Sequence, residues 1–338
     1  MFRLETPEPL GQVIKVVCAA DLDEPGRARL DAVSAAARIE HVEPRVVPEL
    51  EDAELEVLIA GDVPRSAPRL RWLQAPTAGV ERLVGRIPAG IVLTNARGVY
   101  APAMAEYVIW AVLQATQGAE ARRRLQQARR WPDDEKPVLG RRLRGLTMLV
   151  AGYGGVGREV ARLAKAIGMR VVAIKARPEV TRYDGFLVAG TGDPEGVIPE
   201  RILGVDQLAE AAGTADFLVL TMPATSRNRG MVGPEVLAAL PAGAWVVNVG
   251  RGTVLDQPAL VEALRSDHLG GAVLDVVDQE PLSRQSPLWK LPNVVLTPHV
   301  SGADALGRTE LAALVCANLS HYMAGEPMLN LVDLGRGY

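Results

Sequence analysis

Residues 146–168 read LTMLVAGYGGVGREVARLAKAIG, and this stretch decides the fold. The aliphatic run at 146–151 is typical of a buried strand, and the glycines of Gly152-x-Gly154-x-x-Gly157 follow it directly. After the glycines, apolar residues recur at the three- and four-residue spacing of a helix face. The order is therefore strand, tight turn and helix.

Each glycine of this turn has a purpose in a unit that binds a dinucleotide. The first makes the tight turn, the second lets the backbone approach a pyrophosphate, and the third lets the helix pack on the strand. The N–H groups and the positive dipole end at the start of the helix favour phosphate. We therefore predict a dinucleotide site here, the alternative being an ordinary strand-to-helix turn of an α/β protein.

The composition is that of a globular protein with no nucleic-acid or membrane partner. A length of 338 residues allows two domains of about 150 residues each, and a net charge of −3 gives no general attraction to nucleic acid or anionic lipid. Cys18 and Cys316 have no metal-ligand spacing, so we expect buried thiols, a reducing compartment and no metal site. Residues 1–11 are too polar for a signal peptide, which favours the cytoplasm.

Short apolar runs alternate with segments of helix length along the whole chain, which predicts two parallel sheets covered on both faces. The expected strands of the first sheet are 13–19, 45–47, 56–60, 70–75 and 91–94. Those of the second, a doubly wound set of six strands, are 146–151, 170–174, 216–221, 244–249, 271–274 and 294–296. Helices are expected at 103–131, 234–240, 256–266 and 303–324.

The predicted fold class is α/β, with two doubly wound parallel-sheet domains. We expect a Rossmann cofactor domain at 105–299, inserted in a smaller flavodoxin-like substrate domain at 1–104 and 300–338. Residues 177–204 form a loop that is long for this fold, and such loops are usually functional or mobile.

The helix at 103–131 changes character along its length. Its first half is apolar on nearly all sides, so we expect it to cross between the domains and to contact a second subunit. Its second half carries an arginine run followed by the acidic residues 133–135. We interpret the run as a solvated face or a dimer arm rather than a nucleic-acid patch.

Three side chains of complementary chemistry follow strands of the second sheet. Arg251 stands in NVGRG, Glu280 in DVVDQEP and His299 in TPHVSG. A bound nicotinamide needs a proton donor or acceptor nearby and a group that holds the substrate. Histidine suits reversible proton transfer, although a histidine in a proline turn is more often structural. The three residues at one sheet edge together predict hydride-transfer chemistry.

With these motifs the chain resembles the D-isomer-specific 2-hydroxyacid dehydrogenase family, which includes glyoxylate/hydroxypyruvate reductases and D-lactate and D-3-phosphoglycerate dehydrogenases. The matching motifs are AGV at 78–80, AEY at 105–107, GYGGVG at 152–157, NVGRG, DVxxxEP and TPHVSG. The resemblance implies that Arg251, Glu280 and His299 are the catalytic residues.

The chemistry of these side chains gives each a role, and Arg251 and His299 also bind substrate. Arg251 offers a charged donor fork to the carboxylate and carbonyl oxygens of a 2-oxo acid. Protonated His299 gives a proton to the carbonyl oxygen as hydride arrives, and takes it in the reverse direction. Glu280 pairs with the other imidazole nitrogen, fixes the tautomer and stabilises the imidazolium.

The resemblance also implies further binding residues. The backbone N–H groups of the AGV loop would bind the substrate carboxylate, and Asp275 resembles the residue that contacts the nicotinamide carboxamide, the alternative being a strand-end cap. The substrate loop consists of Ala78, Gly79 and Val80. The other residues assigned to the cofactor are Gly152, Tyr153, Gly154, Gly155, Val156, Gly157, Met222, Pro223, Val249, Gly250 and Gly302.

The end of the second cofactor-domain strand indicates which cofactor is bound. NAD enzymes of this shape place Asp or Glu about 20 residues after the first glycine, where it bonds the ribose 2′-hydroxyl. Here Lys175 takes that position and Arg177 follows; both would attract a 2′-phosphate, which a carboxylate would repel. We therefore predict NADP(H) over NAD(H). The alternative is that both are surface cations and that Glu179 serves the ribose.

The leading interpretation is a homodimeric reductase that uses NADP(H) and a small 2-oxo acid, glyoxylate or hydroxypyruvate. One alternative is a dehydrogenase of D-lactate, of a phosphorylated hydroxy acid or of phosphite. A phosphorylated substrate needs an extra cation, for which Arg97 is the candidate. Another alternative is a non-catalytic dinucleotide sensor or scaffold, which the fold alone does not exclude but which three retained chemical groups argue against.

Overall fold

Two parallel sheets organise this computed structural model, which describes residues 13–131 and 139–337. Residues 1–11 and 133–135, on which the signal-peptide and arginine-run interpretations rest, lie outside the described residues. Each sheet is the centre of its own unit. The first unit consists of the described chain up to Tyr100, Asp184–Val188 and the chain from Asp304; the second consists of the described parts of Ala101–Tyr183 and Ala189–Ala303.

The first unit is built on five short parallel strands. They are β1 (Ile14–Cys18), β2 (Ala37–His41), β3 (Leu55–Ile59), β4 (Trp72–Gln74) and β5 (Val92–Thr94). The sheet order is β2-β1-β3-β4-β5, which is the flavodoxin-like order. Helix α1 (Glu24–Asp31) follows β1, and the Asp23 side chain caps it by accepting a hydrogen bond from Gly26 N.

The second unit carries a seven-stranded parallel sheet. Its strands are β6 (Thr147–Ala151), β7 (Arg170–Ile174), β8 (Arg201–Leu203), β9 (Phe217–Leu220), β10 (Trp245–Asn248), β11 (Gly271–Leu274) and β12 (Val294–Leu296). Its helices are α2 (Ala101–Thr116), α3 (Ala119–Gln127), α4 (Gly155–Ala166), α5 (Leu208–Ala212), α6 (Pro234–Ala239) and α7 (Gln257–Arg265). The order β12-β11-β10-β9-β6-β7-β8 reverses between β6 and β9, and ligands of open α/β sheets bind at the carboxyl ends of strands beside such a reversal.

The β6 strand lies at the centre of the second unit and is buried at every position. Leu149 belongs to the apolar layer on one side of the sheet, and Val150 to the layer on the other side together with Val160 of α4. A parallel strand covered on both faces is apolar throughout, which explains why 146–151 is recognisable in the sequence. Helix α8 (Gly307–Ala324) returns the chain to the first unit. The predicted α/β class with two parallel sheets is confirmed.

The strand predicted at 45–47 is wrong. These residues lie in a 3-10 helix, Pro44–Glu49, and the strand of this region is Ala37–His41. Proline has no N–H to donate to a sheet ladder, so Pro44 and Pro48 disfavour a strand. The true strand is at the sheet edge and alternates half-buried with exposed side chains, so it lacks a continuous apolar run.

Two further details of the prediction are wrong. The second sheet has seven strands rather than six, because the three-residue β8 lies within the predicted loop 177–204 and is too short for a pattern to reveal. The single helix predicted at 103–131 is broken into α2 and α3. Gly118 adopts a φ of +59° between them, a left-handed conformation that glycine takes at little cost.

Candidate active site

The turn between β6 and α4 has no space for side chains at its first and third glycines. Gly152 has a φ of +111°, and a Cβ there would lie 2.9 Å from the Met222 backbone nitrogen. A Cβ on Gly157 would overlap the carbonyl oxygen of Gly152. The helix therefore packs directly on the turn, as a glycine at each position permits.

The second glycine of the turn faces open space. A Cβ built on Gly154 would meet no heavy atom within 4 Å among the described residues. Gly154 is the N-cap of α4, and in the described part of the chain no side chain caps the first N–H groups of this helix. Uncapped N–H groups at the positive end of a helix dipole, with space in front of them, fit a pyrophosphate. The residues present thus fit the predicted dinucleotide.

The loops after β9 and β10 lie against the same turn. Thr221 Oγ1 donates a hydrogen bond of 2.6 Å to the Gly152 carbonyl oxygen. A Cβ on Gly250 would lie 2.7 Å from the Met222 carbonyl oxygen, so these two loops also meet backbone to backbone. The structure therefore brings Met222, Val249 and Gly250 to the glycine turn, with Pro223 next in the chain.

The three predicted catalytic residues follow three adjacent strands, β10, β11 and β12. His299 Nδ1 lies 2.8 Å from Glu280 Oε2, and the two side chains are 50% and 40% exposed. A carboxylate accepts only, so Nδ1 is the donor, and Nε2 is the ring nitrogen left for proton exchange. Because both groups remain open to solvent, a substrate can reach them.

The backbone of the loop that carries Arg251 is held by a buried polar side chain. The fully buried side chain of Asn248 donates to the Arg251 carbonyl oxygen at 3.2 Å and accepts from Gly250 N at 3.1 Å. The backbone of Gly252 lies against Val277 so closely that a Cβ would overlap it. The loop of Arg251 is therefore packed directly on the loop that leads to Glu280.

Asp275 fixes the loop that carries His299. Its buried carboxylate accepts hydrogen bonds from Thr297 Oγ1 at 2.6 Å and from the N–H groups of Val300 and Ser301, both at 2.9 Å. Burial acts to raise the pKa of Asp275, but the hydrogen bonds from Ser301 and Thr297 outweigh it and hold the pKa below its ordinary value. The carboxylate is therefore ionised at neutral pH.

The same loop is held at its backbone. The carbonyl oxygen of Asp275 accepts from His299 N at 2.9 Å, and His299 itself has a φ of +57°. A left-handed conformation is unfavourable for histidine, so the surrounding hydrogen bonds must hold it there. The carboxylate of Asp275 thus acts as a loop cap, whereas its contact with a nicotinamide carboxamide stays a prediction.

Comparison with known proteins identifies the family. The family model described as D-isomer specific 2-hydroxyacid dehydrogenase, NAD binding domain, matches residues 109–301. The chain belongs to the D-isomer-specific 2-hydroxyacid dehydrogenase family. The resemblance found in the sequence is confirmed, and with it an oxidoreductase with an NAD(P)-binding domain.

Individual relatives of this dehydrogenase differ in their named activities. The chain is 32% identical to a glyoxylate reductase of Korarchaeum cryptofilum over 281 residues, 81% of this chain and 80% of that protein. It is 30% identical to a D-3-phosphoglycerate dehydrogenase of Archaeoglobus fulgidus over 278 residues, 82% of this chain and 50% of that protein. The solved structure of a D-isomer specific 2-hydroxyacid dehydrogenase from Xanthobacter autotrophicus Py2, in complex with NADPH and MES, matches with a TM-score of 0.78 and 29% identity over 97% of this chain and 100% of that chain.

The predicted substrate loop of the dehydrogenase lies in the first unit, after β4. Asn95 Nδ2 donates to the Ala78 carbonyl oxygen at 2.9 Å, and Thr77 Oγ1 donates to the Gly79 carbonyl oxygen at 2.7 Å. In a trans peptide the following N–H points away from the carbonyl, so the N–H groups of Gly79 and Val80 point away from these side chains. That orientation leaves them available for a carboxylate, which stays a prediction.

The residues predicted to bind the 2′-phosphate of the cofactor lie at the carboxyl end of β7. Lys175 is half-buried and its Nζ donates to the Val180 carbonyl oxygen, whereas Arg177 and Glu179 are exposed. The Lys175 ammonium thus turns toward the loop that follows the strand. Gly302, the last residue assigned to the cofactor, is half-buried beside Ser301 in the loop capped by Asp275.

Sequence reasoning missed the residues that position the site. Asn248 lies in the NVGRG motif and Thr297 in the TPHVSG motif. The sequence does not predict their hydrogen-bond partners, because hydrogen bonds between loops leave no periodic signal. Tyr107 of the AEY motif was missed for the same reason: its Oη lies 2.6 Å from Thr297 Oγ1.

Within residues 13–131 and 139–337, no group of His, Cys, Asp and Glu is arranged to hold a metal ion, and no helix is long and apolar enough to cross a bilayer.

Two alanine substitutions in the glycine turn separate folding from cofactor binding. Gly157→Ala should lower the free energy of unfolding by about 1–3 kcal/mol, because its Cβ overlaps backbone. Gly154→Ala should change it by less than about 0.5 kcal/mol, because its Cβ meets open space. The same Cβ should weaken dinucleotide binding, measured by quenching or enhancement of NADPH fluorescence. Unchanged NADPH affinity in Gly154→Ala would place the pyrophosphate elsewhere.

Proposed function

We propose that this dehydrogenase is an NADP(H)-preferring reductase of a small 2-oxo acid, with glyoxylate or hydroxypyruvate as substrate. The observation that carries the proposal is the 2.8 Å contact between His299 Nδ1 and Glu280 Oε2 at the strand edge that also holds Arg251. The named activity of the Korarchaeum cryptofilum relative supports the substrate class.

The nicotinamide, when bound, supplies the hydride to the substrate carbonyl carbon. His299 holds at Nε2 the proton that the carbonyl oxygen receives, and Glu280 compensates the positive charge of the protonated ring. Arg251 binds the carboxylate and polarises the carbonyl oxygen through its guanidinium donors. Hydride and proton together convert the 2-oxo acid to the 2-hydroxy acid, and the reverse reaction returns the proton to His299.

The substrate carboxylate is also bound by backbone N–H groups of the loop Ala78–Val80. Asn95 supports this role because it is fully buried and holds the Ala78 carbonyl. The loop is thereby fixed in one conformation before substrate arrives, which lowers the entropic cost of binding.

The preference for NADP(H) rests on charge at the end of β7. Lys175 replaces the carboxylate that would accept a hydrogen bond from a ribose 2′-hydroxyl, and Arg177 adds a second cation two residues later. The NADPH complex of the Xanthobacter autotrophicus Py2 relative supports this choice.

A second candidate substrate is a phosphorylated 2-hydroxy acid, as in the named activity of the Archaeoglobus fulgidus relative. Arg97 favours it, because its Nε is buried and has no hydrogen-bond partner among the described residues. A phosphate would supply that partner. Faster turnover of a phosphorylated 2-oxo acid than of glyoxylate would select this candidate.

The assembly that we propose is a homodimer in the cytoplasm. Trp110 and Leu113 of α2 remain 37% and 42% exposed, and exposed apolar side chains on one helix are typical of a subunit contact. The thiols of Cys18 and Cys316 are both free and buried, which fits a reducing compartment.

The proton-transfer role is tested by His299→Ala. With glyoxylate and NADPH, kcat should fall by about 100-fold or more, because a positioned acid contributes about 100- to 10,000-fold. His268→Ala is the matched control, since the contact that the described residues offer His268 is between its Nε2 and the Leu237 carbonyl oxygen, at 3.2 Å in the same unit. Unchanged turnover of glyoxylate, hydroxypyruvate and pyruvate in His299→Ala would overturn the mechanism.

The cofactor preference is tested by charge reversal. The wild type should use NADPH with a kcat/KM at least about tenfold above that for NADH, as expected for one lost charge-assisted contact. The double variant Lys175→Glu/Arg177→Glu should invert the ratio, because it repels the 2′-phosphate. Arg201→Glu, at the opposite end of the neighbouring strand β8, is the control and should keep the wild-type ratio. Equal or better use of NADH by the wild type would contradict the prediction.

A further inference from the structure

The segment between β7 and β8 is attached to the glycine turn by buried charged side chains. Four residues of this attachment are at most 4% exposed although all are polar: Tyr153, Arg158, Glu159 and Asp193. Tyr153 stands between the first two glycines, and Arg158 and Glu159 directly follow the third. Buried ionisable groups are retained only where they are paired, so their partners show what the cluster does.

Asp193 joins the segment to the turn. Its carboxylate accepts a hydrogen bond of 2.5 Å from Tyr153 Oη and further ones from Ile198 N at 2.9 Å and Val197 N at 3.1 Å. Burial acts to raise the pKa of Asp193, but these hydrogen bonds outweigh it and keep the pKa below its ordinary value. An ionised acceptor therefore holds the tyrosine hydroxyl and orders its own segment at once.

Arg158 fixes a second part of the segment. Its guanidinium donates to the carbonyl oxygens of Asp193 and Thr181, and its Cζ lies 4.7 Å from the centre of the Tyr153 ring. The ring of Tyr183 lies on the same guanidinium, 5.1 Å from Cζ to its centre. Thr181, Tyr183 and Asp193 of the segment are thus all bound to the first turn of α4 through the side chain of Arg158.

Glu159 adds the third attachment. It accepts a hydrogen bond of 2.5 Å from Gly192 N, and Arg162 pairs with both of its oxygens, at 2.6 and 2.8 Å. The charge of Glu159 is therefore compensated by Arg162. The segment that the sequence presents as a long loop rich in Gly, Asp and Pro is fixed on the residues that follow the glycines.

We propose that residues 181–183 and 189–198 form a clamp that holds the glycine turn in its dinucleotide-binding conformation, with Asp193 as the positioning residue. The inference rests on the proposed function, since it concerns the cofactor of that site. Tyr153 stands between two glycines, the residues with the greatest backbone freedom, so an anchor on its side chain restricts the turn. A turn restricted before binding presents its N–H groups to phosphate at a lower entropic cost.

The test is the Kd for NADPH in the absence of substrate, measured by NADPH fluorescence or by calorimetry. Asp193→Asn keeps the size of the side chain and removes the charge, and should raise the Kd for NADPH by about tenfold, the equivalent of one hydrogen bond to a charged group. In turnover assays the KM for NADPH should rise more than kcat falls. Glu195→Gln is the matched control, because Glu195 lies in the same segment, is exposed and only approaches Arg182 at 3.8 Å.

Limited trypsin digestion supplies a readout that does not depend on turnover. Cleavage after Lys175 and Arg182 should be faster in Asp193→Asn than in the wild type, and saturating NADPH should slow it again, because cofactor and clamp stabilise the same turn. Should Asp193→Asn not fold, Tyr153→Phe removes only the hydroxyl and is expected to give the same increase in Kd and in cleavage.

The outcomes separate the clamp from the proposed function. A wild type that binds neither NADPH nor NADH would overturn the proposed function. A wild type that binds NADPH, with Asp193→Asn or Tyr153→Phe binding it equally well, would overturn the clamp alone. A folded variant that loses only thermal stability, with unchanged Kd, would show a purely structural role and also overturn it.

Discussion

The site depends on one constraint: between β6 and α4 the backbone passes its neighbours so closely that only glycine fits. Gly157 lies against the Gly152 carbonyl, and both Gly152 and Gly250 lie against Met222. This contact fixes the start of α4 at the carboxyl edge of the sheet, beside the point where the strand order reverses. The cofactor position that we propose follows from it, and the parallel order of β10, β11 and β12 places Arg251, Glu280 and His299 along the same edge.

Buried polar groups turn this edge into a rigid site. Asn248 holds the loop of Arg251, Asp275 holds the loop of His299, and Asp193 holds the glycine turn. A buried hydrogen bond is costly to break because no water replaces the lost partner, so each loop has one strongly favoured conformation. Reactive groups held in place before substrate binds lose less entropy when they act.

The sequence predicts most of the second sheet and the positions of the site motifs, because fully covered parallel strands are continuous apolar runs and the motifs follow their ends. It does not predict β2 or β8, an edge strand with exposed positions and a three-residue strand inside a polar loop. Nor does it reveal Asp193, since its bond to Tyr153 joins residues 40 positions apart and depends on how the segment folds back. Local patterns record burial and turns, whereas such pairs are set by tertiary structure.

The central claim is that His299 and Glu280 act as one proton-transfer unit, and a double-mutant cycle tests it most directly. The measurement is the single-turnover rate of glyoxylate reduction at saturating NADPH for His299→Ala, Glu280→Gln and the variant with both changes. Because Glu280 acts only through the imidazole, the double variant should be as slow as His299→Ala and no slower. Suppose instead that Glu280→Gln slows the His299→Ala enzyme by the same factor by which it slows the wild type. Such independent effects on the single-turnover rate would contradict the claim.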